Sequence, residues 1–458
     1  MKNLDKLLND PKVKEAKKLL TEALSNHSRH IGKPKDPDPD LAQDFEKLLE
    51  SYGQMRGGPL FYPYIGSGLG KGALVELMDG SVKYDFITGI GVHGFGHSHP
   101  DIISSSIDAA LTDTVMEGHL QQNSDAYELT KLLIDISGLD HCFLSSTGAM
   151  ANENALKICF QKKYPADRIL AFERCFMGRT LALSQVTDKP MFREGLPLNQ
   201  PVDYVPFYNP ENPKESTELA VKTLTSHIDR YPGKHAAMSF ELIQGEGGFN
   251  LGTPEFFKAL MDILKDRGIP VMIDEVQTFG RTTKPLAFQH FGLEDYVDVV
   301  TIGKLSQACA TLYKSHLKPG PGLLSQTFTT SSSAIRASKV IIEKLVSEGH
   351  FGEDGKNMAI HKYFVEKLKS IGKKHPGLVR GPYGIGCMIA FTPLDGTSAQ
   401  VVDFARELFK QGVMSFIAGK SPVRCRFLVP MLAVTNHDID KAAEIIEKTL
   451  LICKERHS

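Results

Sequence analysis

Two kinds of hydrophobic pattern alternate along the middle of the chain. From about residue 100 to 345, stretches with apolar residues at helical spacing separate short, continuous apolar runs. Such runs are typical of strands buried on both faces, and we predict them at 141–145, 168–172, 202–206, 236–241, 269–274 and 297–302. Because parallel strands need crossover connections that cover both faces of a sheet, the alternation predicts an α/β fold with a largely parallel sheet.

The two ends of the chain follow other patterns. Residues 1–30 and 41–52 have helical spacing, and a hairpin is predicted at 73–87 around the turn Asp79-Gly80. After a helix at 333–348, helices alternate with short strands to the C-terminus. We therefore predict three parts: an N-terminal segment that packs with the small domain, a large domain, and a C-terminal α+β domain, at 1–75, 76–345 and 346–458.

Composition excludes several classes of protein. The chain has 458 residues, 41% of them hydrophobic and 23% charged, with a net charge of −1, so we expect neither a nucleic-acid nor a membrane partner. Its seven cysteines lack the spacing of a disulfide framework or a zinc site. No apolar run approaches the roughly 20 residues of a membrane span, and the N-terminus lacks the apolar stretch of a signal peptide. We expect a cytoplasmic enzyme without a metal.

Two predicted strands end in residues that suit one cofactor. Asp274 closes the run at 269–274, and Lys304 follows the run at 297–302 after a glycine. Ligands of α/β sheets bind at the carboxyl ends of the strands. There a lysine can form a Schiff base with the aldehyde of a pyridine aldehyde cofactor, and an aspartate can keep the ring nitrogen protonated. A surface lysine and an acidic strand end are the plain structural alternative.

The run Ser145–Lys157 joins a strand end to the start of a helix through small residues. Such a turn offers free backbone N–H groups and a favourable helix dipole, so Thr147, Gly148 and Ala149 are candidates for holding a phosphate. An ordinary capped helix is the alternative. Phe176, after the strand at 168–172, is a candidate for stacking on a planar cofactor, with a plain core phenylalanine as its alternative.

Charged residues after two further strands suggest a substrate site. Glu241 and Glu246 flank a glycine-containing turn and could bind an amine or pair with a basic residue. Arg426, in an alternating strand pattern, could clamp a carboxylate with two parallel hydrogen bonds. Loop carboxylates in water and a surface arginine are the alternatives.

These features occur together in one known family. From about residue 57 to the C-terminus the chain resembles the class III (ω-amino-acid) aminotransferases of fold type I. The matching motifs stand in the family's order: 70–100, Thr147-Gly148-Ala149, Phe176-Met177-Gly178, Glu241 to Glu246, Asp274 to Gln277, Gly303-Lys304, Gln326-Thr327-Phe328 and Arg426-Phe427. The resemblance implies a mostly parallel seven-stranded sheet in the large domain, a smaller α+β domain from both termini, and pyridoxal 5'-phosphate as cofactor.

The resemblance also implies roles for single residues. Lys304 would form the Schiff base and shuttle the substrate proton, and Asp274 would pair with the ring nitrogen. Val276 and Phe176 would cover the two ring faces, and Gln277 would bond the phenolic oxygen. Thr327 would reach the phosphate from the partner subunit of a homodimer whose active sites lie at the interface. Glu241 and Arg426 would form a switch pair that opens when the arginine takes the α-carboxylate of glutamate or 2-oxoglutarate.

The expected reaction moves the distal amino group of a diamino or ω-amino acid to 2-oxoglutarate, giving an aldehyde and glutamate. Leu305–Ala310 replaces the family's glycine-rich stretch. The pattern at Lys304–Cys309 and the helix at Gly148–Lys157 look most like the lysine ε-aminotransferases, whereas residues 89–92 are closer to the acetylornithine enzymes. The amine donor therefore stays open, with its length set near Tyr62 and Ile90. An aminomutase or racemase on the same scaffold and a non-catalytic relative are the alternatives.

Overall fold

The computed structural model describes residues 2–457, which divide into two units. One unit comprises residues 1–111, 359–383 and 387–458, and the other comprises 112–358 and 384–386. The N-terminal and C-terminal stretches of the described residues thus belong to the same unit. The domain bounds drawn from the sequence stay a prediction.

Helices account for much of both units. They are α1 (Asn3–Leu8), α2 (Pro11–His27), α3 (Pro39–Met55), α4 (Thr88–Gly91), α5 (Pro100–Ala110), α6 (Ser124–Ser137), α7 (Gly148–Lys162), α8 (Leu183–Val186), α9 (Pro213–Arg230), α10 (Pro254–Asp266), α11 (Ala287–His290), α12 (Ser332–Ser347), α13 (Lys356–Lys374), α14 (Ser398–Gln411) and α15 (Asn436–His457). The short α4 is a left-handed turn, because Thr88, Gly89, Ile90 and Gly91 all have positive φ. None of the helices within residues 2–457 is long and apolar enough to cross a membrane.

Strands lie between these helices. They are β1 (Gly66–Lys71), β2 (Leu74–Leu77), β3 (Val82–Asp85), β4 (Met116–Glu117), β5 (His141–Ser145), β6 (Arg168–Phe172), β7 (Val202–Val205), β8 (His235–Phe240), β9 (Ile243–Gln244), β10 (Asn250–Leu251), β11 (Val271–Glu275), β12 (Val299–Ile302), β13 (Cys309–Tyr313), β14 (Thr330–Ser331), β15 (Val379–Ile385), β16 (Met388–Pro393), β17 (Val413–Met414), β18 (Phe416–Ala418) and β19 (Arg424–Leu428).

The larger unit is built on a seven-stranded sheet with the order β5-β13-β12-β11-β8-β6-β7. The pairs from β12 to β7 are parallel, whereas β13 runs antiparallel to both β12 and β5. The predicted α/β fold with a mostly parallel seven-stranded sheet is therefore confirmed. The hydrophobic pattern gave six of these strands and missed β13.

The core of this unit lies between α7 and the sheet. Apolar side chains of α7, among them Leu156 and Ile158, pack with Ile169, Met272 and Val299 of three strands. Helix α7 begins where the Thr147 hydroxyl accepts the Met150 amide, a side-chain N-cap, at 3.1 Å. Its packing therefore directs the N-terminal turn of the helix toward one fixed edge of the sheet.

The other unit is an α+β structure. It holds the sheet β1-β2-β3-β17 and most of the sheet β15-β16-β19-β18. The residues predicted as one N-terminal helix form two, because Pro11 lacks an amide hydrogen and begins α2 at its N1 position.

Candidate active site

The residues proposed for chemistry in the larger unit meet at the carboxyl ends of β11 and β12. They surround a cavity of about 310 Å³, within the range of small-molecule sites. Nine predicted residues line it: Gly148, Ala149, Phe176, Glu241, Glu246, Asp274, Val276, Gln277 and Lys304. Four further lining residues had no predicted site role, although Met177 and Gly178 belong to a matching motif: Asn152, Met177, Gly178 and Arg179.

Asp274 is buried near the end of β11, where it pairs in register with Thr301 of β12. Its Oδ1 accepts the Val276 amide at 2.9 Å, and its Oδ2 accepts the Asn152 Nδ2 at 2.8 Å. Burial raises the pKa of Asp274, and these two hydrogen bonds and the charge of Lys304 oppose that rise. The carboxylate is therefore fixed in direction before any ligand arrives.

Asn152, on the second turn of α7, fixes the Asp274 carboxylate. It is 1% exposed, and its Nδ2 also donates to the Met177 carbonyl at 2.7 Å. Its Oδ1 accepts the Thr301 hydroxyl at 2.6 Å. The amide thus ties α7, the loop after β6 and β12 to Asp274. The sequence signal for this role was weak: an asparagine in a helix, where that residue is disfavoured.

Lys304 follows β12 and opens a single 3-10 turn, Lys304–Ser306. Its backbone is left-handed, with φ of 52°. Its charge opposes the rise that burial causes in the pKa values of Glu241 and Asp274, and all three residues line the same cavity. The amine and the two buried acids therefore share one cavity.

Glu241 lies just after β8 and is 7% exposed. Its Oε2 accepts the Phe176 amide at 2.7 Å and its Oε1 accepts the Gly245 amide at 3.1 Å. Burial, followed by the charge of Asp274, raises the pKa of Glu241 to about 8. The pKa of Glu241 thus lies near neutral pH even though the charge of Lys304 opposes the rise.

The mouth of the cavity carries further charges. Glu246 forms an ion pair with Lys189, Oε2 to Nζ 3.0 Å, and both side chains are partly exposed. The Arg179 guanidinium stacks on the Phe192 ring, Cζ to centroid 3.8 Å. Lys189 and Arg179 were not predicted, because nothing in the sequence around them sets a surface cation apart.

Glycines bring the walls of the cavity close together. A β-carbon on Gly148 would lie 2.7 Å from Val276 Cγ1, and one on Gly245 would lie 2.4 Å from Gln277 Oε1. The N-terminal turn of α7 therefore abuts the strand-end residues, and its Gly148 and Ala149 amides have no partner within the helix itself. An amine, a buried carboxylate, a flat apolar wall and a helix N-terminus fit pyridoxal 5'-phosphate.

The remaining predicted residues lie elsewhere. The Thr147 hydroxyl is used in the cap of α7, and Thr327 is exposed beside Gly118, outside the residues that line the cavity. In the other unit, the Tyr62 hydroxyl donates to the Ser415 carbonyl at 2.8 Å and burial raises its pKa. Arg426 lies on β19, fully buried, with its Cζ 5.6 Å from the Phe416 ring centroid. Its pairing with Glu241 stays a prediction.

This sheet and this site define a fold type I pyridoxal-phosphate-dependent transferase. The family profile described as Aminotransferase class-III matches residues 65–450. The chain belongs to the class III aminotransferases, a pyridoxal-phosphate-dependent family, and the resemblance inferred from the motifs is confirmed. It is an enzyme of ω-amino transfer.

Known proteins agree with this assignment. The acetylornithine aminotransferase of Methanocaldococcus jannaschii is 31% identical over 386 residues, which are 80% of this chain and 89% of that protein. The lysine aminotransferase of M. tuberculosis superposes with a TM-score of 0.80 at 22% identity, over 89% of this chain and 99% of that one. The ornithine aminotransferase of Toxoplasma gondii gives 0.78 at 22%, over 90% and 96%. At that identity, the two structures support the fold alone.

Proposed function

We propose that the enzyme transfers the distal amino group of a lysine-, ornithine- or acetylornithine-type donor to 2-oxoglutarate, giving an aldehyde and glutamate. The observation that carries the proposal is the meeting of Lys304, Asp274 and the N-terminus of α7 in one cavity at the strand ends. The acetylornithine aminotransferase relative supports a donor of this class. Neither the site nor the family supports the intramolecular or non-catalytic alternatives.

When bound, the cofactor would supply an electron sink. The residues of the chain would bind it, orient it and move the substrate proton. Asp274 would hold the proton on the ring nitrogen with a carboxylate that Asn152 and Val276 already orient. Val276 and Phe176 would cover the ring, Gln277 would bond the phenolic oxygen, and Gly148 and Ala149 would offer amides to the phosphate. Lys304 Nζ would hold and move the substrate proton.

We assign substrate recognition to four of the predicted residues. Glu246 and Tyr62 border the donor, and Arg426 binds the α-carboxylate of 2-oxoglutarate as a bidentate clamp. Glu241 pairs with Arg426 while the donor reacts, because a buried guanidinium without a counter-charge is destabilising. The pKa of Glu241, about 8, lies near neutral pH, so an approaching guanidinium would favour its ionised form.

A half-reaction experiment tests this function. The cofactor-loaded enzyme is mixed with one donor at a time (lysine, ornithine, N-acetylornithine, 4-aminobutyrate or β-alanine) without a 2-oxo acid, and the cofactor absorbance is followed. Loss of the Schiff-base band with one donor, and its return on adding 2-oxoglutarate, supports the proposal and identifies the donor. A band that depends on Lys304 yet is unchanged by every donor would refute it.

We also propose a homodimer in which Thr327 serves the partner's phosphate site. The ladder β4–β14 next to Thr327 exposes apolar side chains: Val115 (61%), Met116 (44%), Leu120 (95%) and Phe328 (45%). Exposed apolar patches of this kind favour association. Residence in the cytoplasm is proposed because the seven cysteines are free thiols.

Hybrid dimers test the position of Thr327. Lys304→Ala and Thr327→Ala chains are each inactive in this scheme, but a mixed dimer contains one site with both native residues if Thr327 acts across the interface. Recovery of up to about half the activity per hybrid dimer on mixing is expected. No recovery, with mixed dimers shown to form by mass, would place Thr327 in its own subunit's site, and a Thr327→Ala chain that is fully active by itself would place Thr327 outside the site.

A further inference from the structure

The loop that joins β12 to β13 contains two backbone conformations that residues other than glycine rarely adopt. Lys304 has φ of 52°, and Gln307 has φ of 60° with ψ of −61°. The Ala308 amide donates to the Ser306 carbonyl at 2.6 Å. These angles and this bond between residues two apart define a positive-φ γ-turn centred on Gln307, which is rare and strained.

The surroundings of the loop hold this turn in place. Ile302 pairs with Ala310 across the antiparallel ladder, and the other edge of β13 is paired to β5, so both ends of the loop are clamped. The Ser306 hydroxyl donates to the Ala308 carbonyl at 2.8 Å. A strained residue persists only where its neighbours determine its conformation in this way.

The turn is connected directly to Lys304. The Gln307 amide donates to the Lys304 carbonyl at 3.0 Å and closes the 3-10 turn that Lys304 opens. On the preceding side there is little free space, since a β-carbon on Gly303 would lie 3.1 Å from both Cys309 Sγ and Val276 Cγ1. The conformation at Gln307 and the backbone of Lys304 are therefore coupled.

Glycine at position 307 would remove the strain. The presence of a residue with a β-carbon there therefore indicates that the strained conformation has a function. We propose that Gln307 is a positioning residue for Lys304. The β-carbon of Gln307 confines the turn to the γ conformation. In that conformation the backbone amide of Gln307 donates to the Lys304 carbonyl. Glycine would open a much wider range of positive φ and loosen the Lys304 backbone. The inference rests on the proposed function only in taking Lys304 as the reactive amine.

The test compares Gln307→Gly with Gln307→Ala. The alanine variant is a matched control that loses the side-chain amide but keeps the β-carbon and the backbone amide. Removing strain should raise the Tm of the cofactor-free Gln307→Gly protein by about 1–3 °C. The same variant should shift the pH midpoint of the Schiff-base absorbance and lower kcat about tenfold with little change in KM, because small misplacement of a reacting group is costly. Gln307→Ala should match the wild type in all four measurements.

Two results would overturn the inference. A Gln307→Gly enzyme with an unshifted midpoint and normal kcat would make the turn purely structural. An alanine variant as impaired as the glycine variant would assign the role to the side-chain amide. Failure of the proposed function looks different: the wild type itself would then show no absorbance band that Lys304→Ala removes.

Discussion

Replacing Asn152 with alanine removes the group that orients Asp274. The variant loses hydrogen bonds to Asp274 Oδ2 (2.8 Å), to the Met177 carbonyl (2.7 Å) and from the Thr301 hydroxyl (2.6 Å). All of these partners are at least nine-tenths buried, so water does not readily replace the lost amide. The substitution therefore affects Asp274, the residue that we propose to pair with the ring nitrogen of the cofactor.

The magnitude follows from the type of bond. A hydrogen bond to a charged group contributes about 1.5–3 kcal/mol, which corresponds to a factor of about 10–100 in an equilibrium constant. Loss of the Asn152 bond also raises the pKa of Asp274 further, because that bond favours the ionised carboxyl. We therefore expect cofactor affinity to fall about 10–100-fold, together with some loss of stability from the unpaired carbonyl and hydroxyl.

Asn154→Ala is the matched control. Asn154 lies on the same helix, is 2% exposed, and donates to the Ser145 hydroxyl at 3.2 Å. Both variants lose the same side-chain atoms, so a difference between them reports the orientation of Asp274 and not the loss of packing. Cofactor affinity is measured by titrating the cofactor-free proteins with pyridoxal 5'-phosphate and following the absorbance. Asn154→Ala should lose stability of about 1–2 kcal/mol and keep its affinity. Equal affinities in the two variants would refute the orienting role of Asn152.

Other perturbations test neighbouring parts of the structure. Burial raises the pKa of Glu275 from 4.5 to about 7, so its contribution to stability is full below about pH 4.5 and is lost as the pH rises through 7. Glu275→Gln should therefore gain about 2–3 kcal/mol of unfolding free energy relative to wild type between pH 5 and 8, and a constant difference across that range would contradict this. Gly148→Ala places a β-carbon 2.7 Å from Val276 and should weaken cofactor binding, whereas Gly58→Ala, which meets open space, should not. Arg426→Ala should raise the KM for 2-oxoglutarate far more than that for the donor, and equal effects on the two would exclude the clamp.

The hydrophobic pattern predicted most of the fold because its strands are local signals. Six strands of the main sheet are continuous apolar runs, and each was predicted within about two residues of its observed bounds. Strand β13 contains Ala310, a weak strand former, and its first residues adjoin a loop that includes Ser306 and Gln307, so its sequence carries no clear period. Its conformation is decided by pairing with β5 and β12 on both edges, which is a tertiary effect.

The same limit applies to the site. Asp274 and Lys304 were predictable because strand ends of a parallel sheet meet at one edge. Asn152 reaches Asp274 across 122 residues of sequence, and Lys189 reaches Glu246 across 57. A single sequence carries no sign of such contacts. The strain at Gln307 was equally hidden, since only its backbone angles show that it occupies a conformation suited to glycine.

The burial of the two carboxyl groups in the cavity gives the switch proposed for Glu241 a physical basis. Asp274 and Glu241 each accept two hydrogen bonds that favour the ionised form, and burial raises the pKa of both, that of Glu241 to about 8. Because this pKa lies near neutral pH, we expect the charge of Glu241 to depend on whether the Arg426 guanidinium is beside it. When Arg426 turns from Glu241 to the carboxylate of 2-oxoglutarate, Glu241 should take up a proton from solution near pH 7. Binding of a dicarboxylate should therefore consume protons, measurable with an indicator dye, and Glu241→Gln should abolish that uptake while leaving the buried Asp274 unchanged.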